Sequence, residues 1–266
     1  MPTIQEIANA LAQLAPPPIA ESYDNVGLLV GYPQVEATGV LINLDVTEEV
    51  LAEAKALGIN LIVTHHPIWF MARKKLNGED YVSRIIMSAI KNDIALYACH
   101  TNLDNVRNGV NLKIAEKLGL QNIRFLSEKV VQNEVYGSGM IGEWDTALST
   151  NEFLAKVSET FHCQGIRYSG NTKKAIQKVA VCGGAGSFLI SQALQKQADA
   201  LVTADVTYHK FFDAEDKLLL LDIGHYESEQ FTSELIFAYL SEKFTNFALY
   251  LSKVHTNPVK YFCPLP

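Results

Sequence analysis

"GVLINLDVTEEVLAEAKALGINLIVTHH" (residues 39–66) decides the fold class. Residues 39–46 form an apolar run rich in aliphatic side chains, the pattern of a buried strand. "TEEVLAEAKALG" (47–58) reads as a helix, with Thr47 as its N-cap and Gly58 as its stop. "INLIVTHH" is a second strand. It ends on His65 and His66, and Pro67 then turns the chain. A strand, a helix and a strand in succession predict a parallel pair joined by a crossover. Imidazole is costly to bury without a partner, so two of them at a strand end raise the question of what the rest of the chain brings to that point.

The same rhythm continues on either side. Ile4, Ile7, Leu11 and Leu14 follow helical spacing in "MPTIQEIANALAQLAPPP", which reads as an amphipathic helix stopped by Pro16–Pro18 and not as a signal peptide. "ESYDNVGLLVG" is a turn into a short strand, in which Asp24 and Asn25 order the turn. A helix is predicted around 79–92 and a strand at 94–100 ("IALYACH"). The middle, 119–150, reads as strands with glycine bends. A helix capped by Ser149 or Thr150 follows. Then come "KVAVCGG" (178–184), a helix over 187–198, "DALVTADV" (199–206) and "KLLLLDIGH" (217–225). A last helix covers roughly 227–243, and "NFALYLSKV" closes as a strand. The expected class is α/β with mostly parallel sheets.

A second stretch, "KVAVCGGAGSFLISQALQKQADALVTAD" (178–205), aligns without a gap on residues 39–66. Val40 falls on Val179, Ile42 on Val181, Val63 on Val202 and Thr64 on Thr203. Each unit then reaches a further strand ending in histidine, "HTNLD" from His100 and "HYESE" from His225. The expectation is a single α/β domain made of two pseudo-repeated lobes, approximately 1–125 and 150–266. Either any two strand–helix–strand units look this similar, or the halves arose by duplication and would face a shared dinuclear metal site.

Composition bounds the function classes. The 266 residues are 48% hydrophobic and 19% charged, enough for a substantial core. The net charge of -7 argues against duplex nucleic acid as a partner. No apolar stretch approaches the ~20 residues of a membrane span. Cys99, Cys163, Cys182 and Cys263 form no CxxC pair and read as reduced structural thiols of a cytoplasmic protein.

Candidate ligands gather at the carboxyl ends of predicted strands: His65 and His66, Asp104, and His225. Ligands bind at that edge of open parallel sheets. Glu229 lies four residues beyond His225, one helical turn away. Three imidazoles and two carboxylates suit zinc, iron or manganese, and exceed what one closed tetrahedral zinc site needs. A bridging carboxylate between two divalent ions would use them all.

The ordered motifs "AESYDNVGLLVG", "VTHHPIWF", "HTNLDN", "VAVCGGAGSFL", "VTADVTYH" and "IGHYESE" resemble those of the NGG-interacting-factor-3-like family, also called GTP cyclohydrolase I type 2 homologues. The resemblance runs from about residue 1 to the C-terminus. It implies two similar α/β lobes, a dinuclear metal site and a ring-shaped homohexamer. It also implies His65, His66, Asp104, His225 and Glu229 as metal ligands. Two departures stand out. Longer members carry an extra middle domain, whereas "SEKVVQNEVYGSG" runs straight through here. Ala204 replaces the usual glycine of a "TGD" motif.

Other residues have more than one reading. His100, one turn before Asp104, is a proton carrier or a partner of a ligand, or else a buried structural histidine; His209 in "DVTYHKFF" is similar. Asp45, at the end of the strand before the histidine strand, is a candidate partner of a ligand. Gly183, Gly184 and Gly186 form either a phosphate cradle or only a tight turn. Arg73, Lys74 and Lys75 reach a substrate phosphate or form a solvated loop. The leading expectation is a metal-dependent hydrolase acting on a small, phosphorylated molecule such as a nucleotide or phosphoester. The alternative is a metal-binding or metal-delivery protein, or a hexameric scaffold.

Overall fold

The computed structural model describes residues 1–131, 133–170 and 173–262. Helices α1 (Ile4–Leu14), α2 (Glu48–Leu57), α3 (Tyr81–Lys91), α4 (Thr101–Asn105) and α5 (Val110–Lys117) interleave with strands β1 (Gly27–Val30), β2 (Val40–Asn43), β3 (Leu61–Thr64) and β4 (Ala95–Ala98). Strands β5 (Gln121–Val131) and β6 (Glu134–Leu148) follow. Then come α6 (Thr150–Phe161), β7 (Arg167–Ser169), β8 (Ile176–Val181), α7 (Ile190–Gln195), β9 (Ala200–Thr203) and β10 (Leu219–Asp222). Helices α8 (His225–Glu229) and α9 (Thr232–Lys243) and strand β11 (Leu249–Leu251) complete the order. Two compact units result. Among the described residues, Met1–Leu103 with Thr232–Asn257 form the first, and Asp104–Phe231 with 258–262 form the second.

In the first unit the sheet order is β1-β4-β3-β2-β11. Strands β4, β3, β2 and β11 are parallel, and β1 pairs antiparallel with β4. Strands β2, β3 and β4 are buried at every position, which is why their sequences are continuous apolar runs. Val50, Leu51 and Ala54 of α2 and Val82, Ile85, Ile86 and Ala89 of α3 pack on Leu41, Ile62 and Leu96 of the sheet. The Val50 N–H donates to the Thr47 hydroxyl at 3.3 Å, and Gly58 takes the left-handed conformation with φ 68°, as the sequence predicts. In α1, Thr3 and Glu6 form a reciprocal capping box. Ile4, Ile7 and Leu11 are buried, each worth about 1.5–3 kcal/mol of removal from water.

In the second unit the order is β5-β6-β8-β9-β10-β7. A parallel centre, β8-β9-β10, is flanked by the antiparallel β5–β6 hairpin and by antiparallel β7. Two helices differ from expectation. Residues 187–198 begin as a 3-10 turn at Ser187–Leu189 and only then become α7, because no side chain caps the start. The final helix is broken into α8 and α9; at the break the Gln230 side chain donates to the Phe161 and Glu227 carbonyls. Helix α6 is capped by Ser149, which shares a capping box with Glu152. Among the described residues no helix is long and apolar enough to cross a membrane. Cys99, Cys163 and Cys182 are free thiols, and burial pushes those of Cys99 and Cys163 up to about 12. Cys263 lies outside the described residues.

Candidate metal centre

Parallel pairing sets the positions of the first unit's chemistry. Thr64 of β3 lies beside Ala98 of β4, so the residues that follow them leave the sheet at one edge. That edge carries Asp45 after β2, His65 and His66 after β3, and His100 after β4. His65 is fully buried, and its Nδ1 lies 2.7 Å from the Cys99 carbonyl. A carbonyl only accepts, so Nδ1 bears the hydrogen and the neutral ring's lone pair is on Nε2. His66 places Nδ1 2.7 Å from Asp45 Oδ1, and Asp45 Oδ2 accepts from the Thr256 hydroxyl at 2.7 Å. His100 places Nδ1 2.9 Å from Asp24 Oδ1. The three rings stand 4.9, 5.1 and 5.4 Å apart between centroids. Each offers a nitrogen within 4.8 Å of the other two.

The carboxylates that hold these rings are ionised at neutral pH. Burial opposes ionisation of Asp24, but hydrogen bonds from His100 and Thr101 outweigh it and bring its pKa down to about 2. Burial also opposes ionisation of Asp45, and His66 and Thr256 reverse it, leaving the group below its ordinary value. Both are therefore acceptors, which assigns the hydrogen of each partner imidazole to Nδ1.

The second unit builds its set from β9, α8 and α4. His225 and Glu229 sit one turn apart on α8, with Nε2 and Oε2 3.1 Å apart. Asp205, two residues after β9, holds His225 Nδ1 at 2.7 Å. Burial works against protonation of His225, yet the carboxylates of Asp205 and Glu229 raise it to about 11. The two carboxylates thus favour the protonated form of the metal-free imidazole. Asp104 is on α4, where its carbonyl accepts from the Asn111 side chain at 3.0 Å. Burial, and after it Asp104 and Glu229, push the buried Cys182 thiol up.

The glycine turn lies against Glu229, and its N–H groups are bonded within the fold. Gly183 N–H donates to Asn111 Oδ1, Gly184 N–H to the Ser228 hydroxyl and Gly186 N–H to the Thr203 hydroxyl, at 2.9, 2.9 and 2.8 Å. A Cβ at Gly184 would lie 2.5 Å from Glu229 Oε1, and its φ is +58°. Glycine is required there by close approach and by conformation. This is the tight-turn reading. Ala204 fits without strain: its N–H donates to the Gly184 carbonyl at 2.8 Å, and the positive φ, 52°, belongs to Asp205.

The remaining candidates lie elsewhere. Arg73 pairs with Asp80, the N-cap of α3, while Lys74 and Lys75 are exposed. His209 is exposed on the 3-10 segment Tyr208–Ala214, its ring 5.2 Å from that of Tyr208. It belongs to none of the groups of converging donors among the described residues.

Residues 2–258 match the Duf34/NIF3 (NGG1p interacting factor 3) family. The chain belongs to that family. A "GTP cyclohydrolase 1 type 2 homolog" of Clostridium perfringens is 36% identical over 227 residues, covering 85% of this chain and 86% of that protein. A Bacillus cereus protein related to NIF3 superposes with a TM-score of 0.92 at 26% identity, over 98% of this chain and 99% of its own. Staphylococcus aureus protein SA1388 superposes at 0.91 with 31% identity and the same coverage.

In this NIF3 chain the sequence reading names Asp45 beside the histidines but misses Asp205 and Thr256, and it gives Asp24 only a turn. One signal was available: in the gapless alignment Asp205 falls on the position of His66. The Asp24–His100 pair, 76 residues apart, has no local signal.

Proposed function

We propose that this NIF3-family chain is a metal-dependent hydrolase acting on a nucleotide or another phosphoester, with two divalent ions, zinc, iron or manganese, held by His65, His66, Asp104, His225 and Glu229. One observation carries the reading. The Nδ1 of His65, His66, His100 and His225 each lies against an oxygen of Cys99, Asp45, Asp24 and Asp205. Metal-ligating histidines are oriented in this way, because the held nitrogen fixes both ring and tautomer. A donor set of imidazoles and carboxylates suits divalent transition metals. Such ions polarise a substrate oxygen and make water more acidic.

The chain's own residues supply the rest. Asp45, Asp24 and Asp205 hold the rings still. With the three glycine N–H groups already bonded, Lys74 and Lys75 are the proposed contacts for a substrate phosphate. His100, held by Asp24, is proposed as the proton carrier, with the exposed His209 as the second candidate. Assembly as a homohexamer in the cytoplasm is proposed from the resemblance and the reduced thiols. The name of the C. perfringens relative makes GTP the first compound to try.

The test is elemental analysis of the purified protein, followed by a panel of nucleotides and phosphoesters offered to the metal-reconstituted chain. About two ions per chain and metal-dependent turnover of one substrate class are expected. Absence of metal from protein that has been reconstituted and desalted would overturn the reading. Light scattering that finds a monomer at micromolar concentration would remove the hexamer.

A further inference from the structure

We propose that the second unit carries a seat for a planar nucleobase bearing an amino group, with Tyr208 and Phe212 as its stacking surface and Asp216 as its hydrogen-bond acceptor. This rests on the nucleotide reading of the same chain and adds where the base goes.

A cavity of about 620 Å³ opens between β7 and the 3-10 segment, lined by residues 167–170 and by Tyr208, Phe211, Phe212, Glu215 and Asp216. Small-molecule sites occupy roughly 300–1,000 Å³ and have walls of this kind, aromatic with a few polar groups. Two of the rings stand largely in water, Tyr208 at 71% and Phe212 at 64% exposure. Their centroids are 5.5 Å apart and their planes 75° apart, so they form a corner rather than a closed stack. Apolar rings gathered at one exposed spot mark a binding surface, and every nucleobase has a π-face to lay on it.

Charge narrows the occupant. Arg167 donates to the Asp222 carboxylate and, at 2.9 Å, to the Val206 carbonyl, which holds its guanidinium carbon 5.5 Å from the centroid of the Phe211 ring. The aromatic wall therefore already has a cation of its own, which disfavours an organic ammonium and favours an uncharged ring. Glu215 and Asp216 place two carboxylates in the lining. They repel a phosphate and accept from N–H donors. Glu215 pairs with Lys217 at 2.5 Å, which leaves the acceptor role to Asp216. Adenine and guanine carry an amino group for it, whereas uracil carries carbonyl oxygens instead.

Strand register places the cavity. Arg167 of β7 pairs with Asp222 of β10, and Asp222 with Thr203 of β9. Asp205 follows Thr203 by two residues, and His225 follows Asp222 by three. The Arg167 end of the cavity is thus at the strand edge that carries Asp205 and His225, the edge at which ligands bind. A base seated among the rings leaves its ribose and phosphates at that edge.

Guanosine, adenosine and uridine, which have no phosphate, are the probes, offered to the chelator-treated full-length chain in equilibrium dialysis and saturation-transfer NMR. Guanosine and adenosine should bind through their base protons, with uridine roughly tenfold weaker. Tyr208→Ala/Phe212→Ala should weaken both purine nucleosides by about 5–100-fold, and Tyr208→Phe/Phe212→Tyr should restore them. Asp216 has φ 54°, a conformation asparagine tolerates, so Asp216→Asn keeps the turn and should reduce the preference over uridine. No nucleoside binding to the folded parent at millimolar concentration, unchanged affinity in the double alanine variant, or a preference that survives Asp216→Asn overturns the proposal. So does a double alanine variant that binds no worse but has a lower mass in light scattering, which would make the rings a contact between copies of the chain. The hydrolase reading fails separately: nucleoside binding with no metal-dependent turnover removes the hydrolase and keeps the seat, whereas turnover indifferent to Tyr208 and Phe212 removes the seat and keeps the hydrolase.

Discussion

The carboxyl ends of β2-β3-β4 and of β8-β9-β10 solve one problem in opposite ways. Their strand registers correspond: Val40 pairs with Leu61 and Ile42 with Val63, as Val179 pairs with Ala200 and Val181 with Val202. After the middle strand the first unit places imidazoles, His65 and His66, and takes a carboxylate from the preceding strand, Asp45. The second unit places its carboxylate, Asp205, after the middle strand and its imidazole, His225, after the next one. Where Asp45 stands in the first unit, the aligned residue of the second is Gly184. That glycine leaves room for Glu229. Equal backbone frames thus carry a nitrogen-rich donor set in one unit and a carboxylate-rich set in the other. The position of an acid or a base along a strand edge is a side-chain choice that the sheet register does not restrict.

The strongest way to break this comparison is to remove a proposed ligand from each set. His65→Ala and Glu229→Ala should each lower metal content by about one ion per chain while circular dichroism stays unchanged. Full occupancy in both variants would make the two sets structural.

Asp205→Asn should follow, with metal affinity falling about 10–100-fold. It also tests the charge state of His225. Losing one of two flanking carboxylates should lower the imidazole's pKa from about 11 toward its ordinary 6.5, read by NMR titration of metal-free protein. In the parent, metal must displace that proton, so affinity should rise with pH and uptake should release protons to a weak buffer. A flat affinity between pH 6 and pH 9 would contradict the paired-carboxylate arrangement.

Stability of the metal-free chain should show opposite pH signatures in the two units. His225 is raised in the folded state, so its contribution is full below about 6.5 and is lost as pH rises through about 11. Asp24 is lowered, so its contribution is present above 3.8 and is lost as pH falls through about 2. Thermal melts across pH should show Asp24→Asn losing its difference from the parent only on the acid side. A parent–variant gap that persists below pH 2 would place the effect in packing instead.

Gly184→Ala should cost about 1–2 kcal/mol from the left-handed backbone alone, and should weaken metal binding in the second unit by pushing Glu229. The smallest effect concerns the crossover helices. Thr47→Ala should destabilise by about 1 kcal/mol, since α2 loses a real cap, whereas Ser187→Ala at the start of the 3-10 turn should be near neutral. Equal losses in urea melts would erase that contrast.

Much of this architecture is legible in local sequence. The caps of α2 and α6, the stop at Gly58 and the apolar strands depend on residues a few positions apart, where periodicity and capping chemistry act. His65, His66, His225 and Glu229 announce themselves by lying at strand ends or one turn apart. The break between α8 and α9 and the 3-10 start of α7 were not legible, because side-chain bonds to distant carbonyls and the lack of a cap decide them.

The sequence by itself determined the α/β rhythm, the candidate donor types and the edge at which they emerge, because each follows from short-range pattern. Asp45 apart, tertiary structure alone decided which oxygen holds each imidazole. Asp24 reaches His100 across 76 residues, and Thr256 reaches Asp45 across 211. It also decided that the glycine turn spends its N–H groups on Asn111, Ser228 and Thr203. The physical reason is that a hydrogen bond needs two groups within about 3 Å, and only the folded chain brings residues so far apart in sequence to that distance.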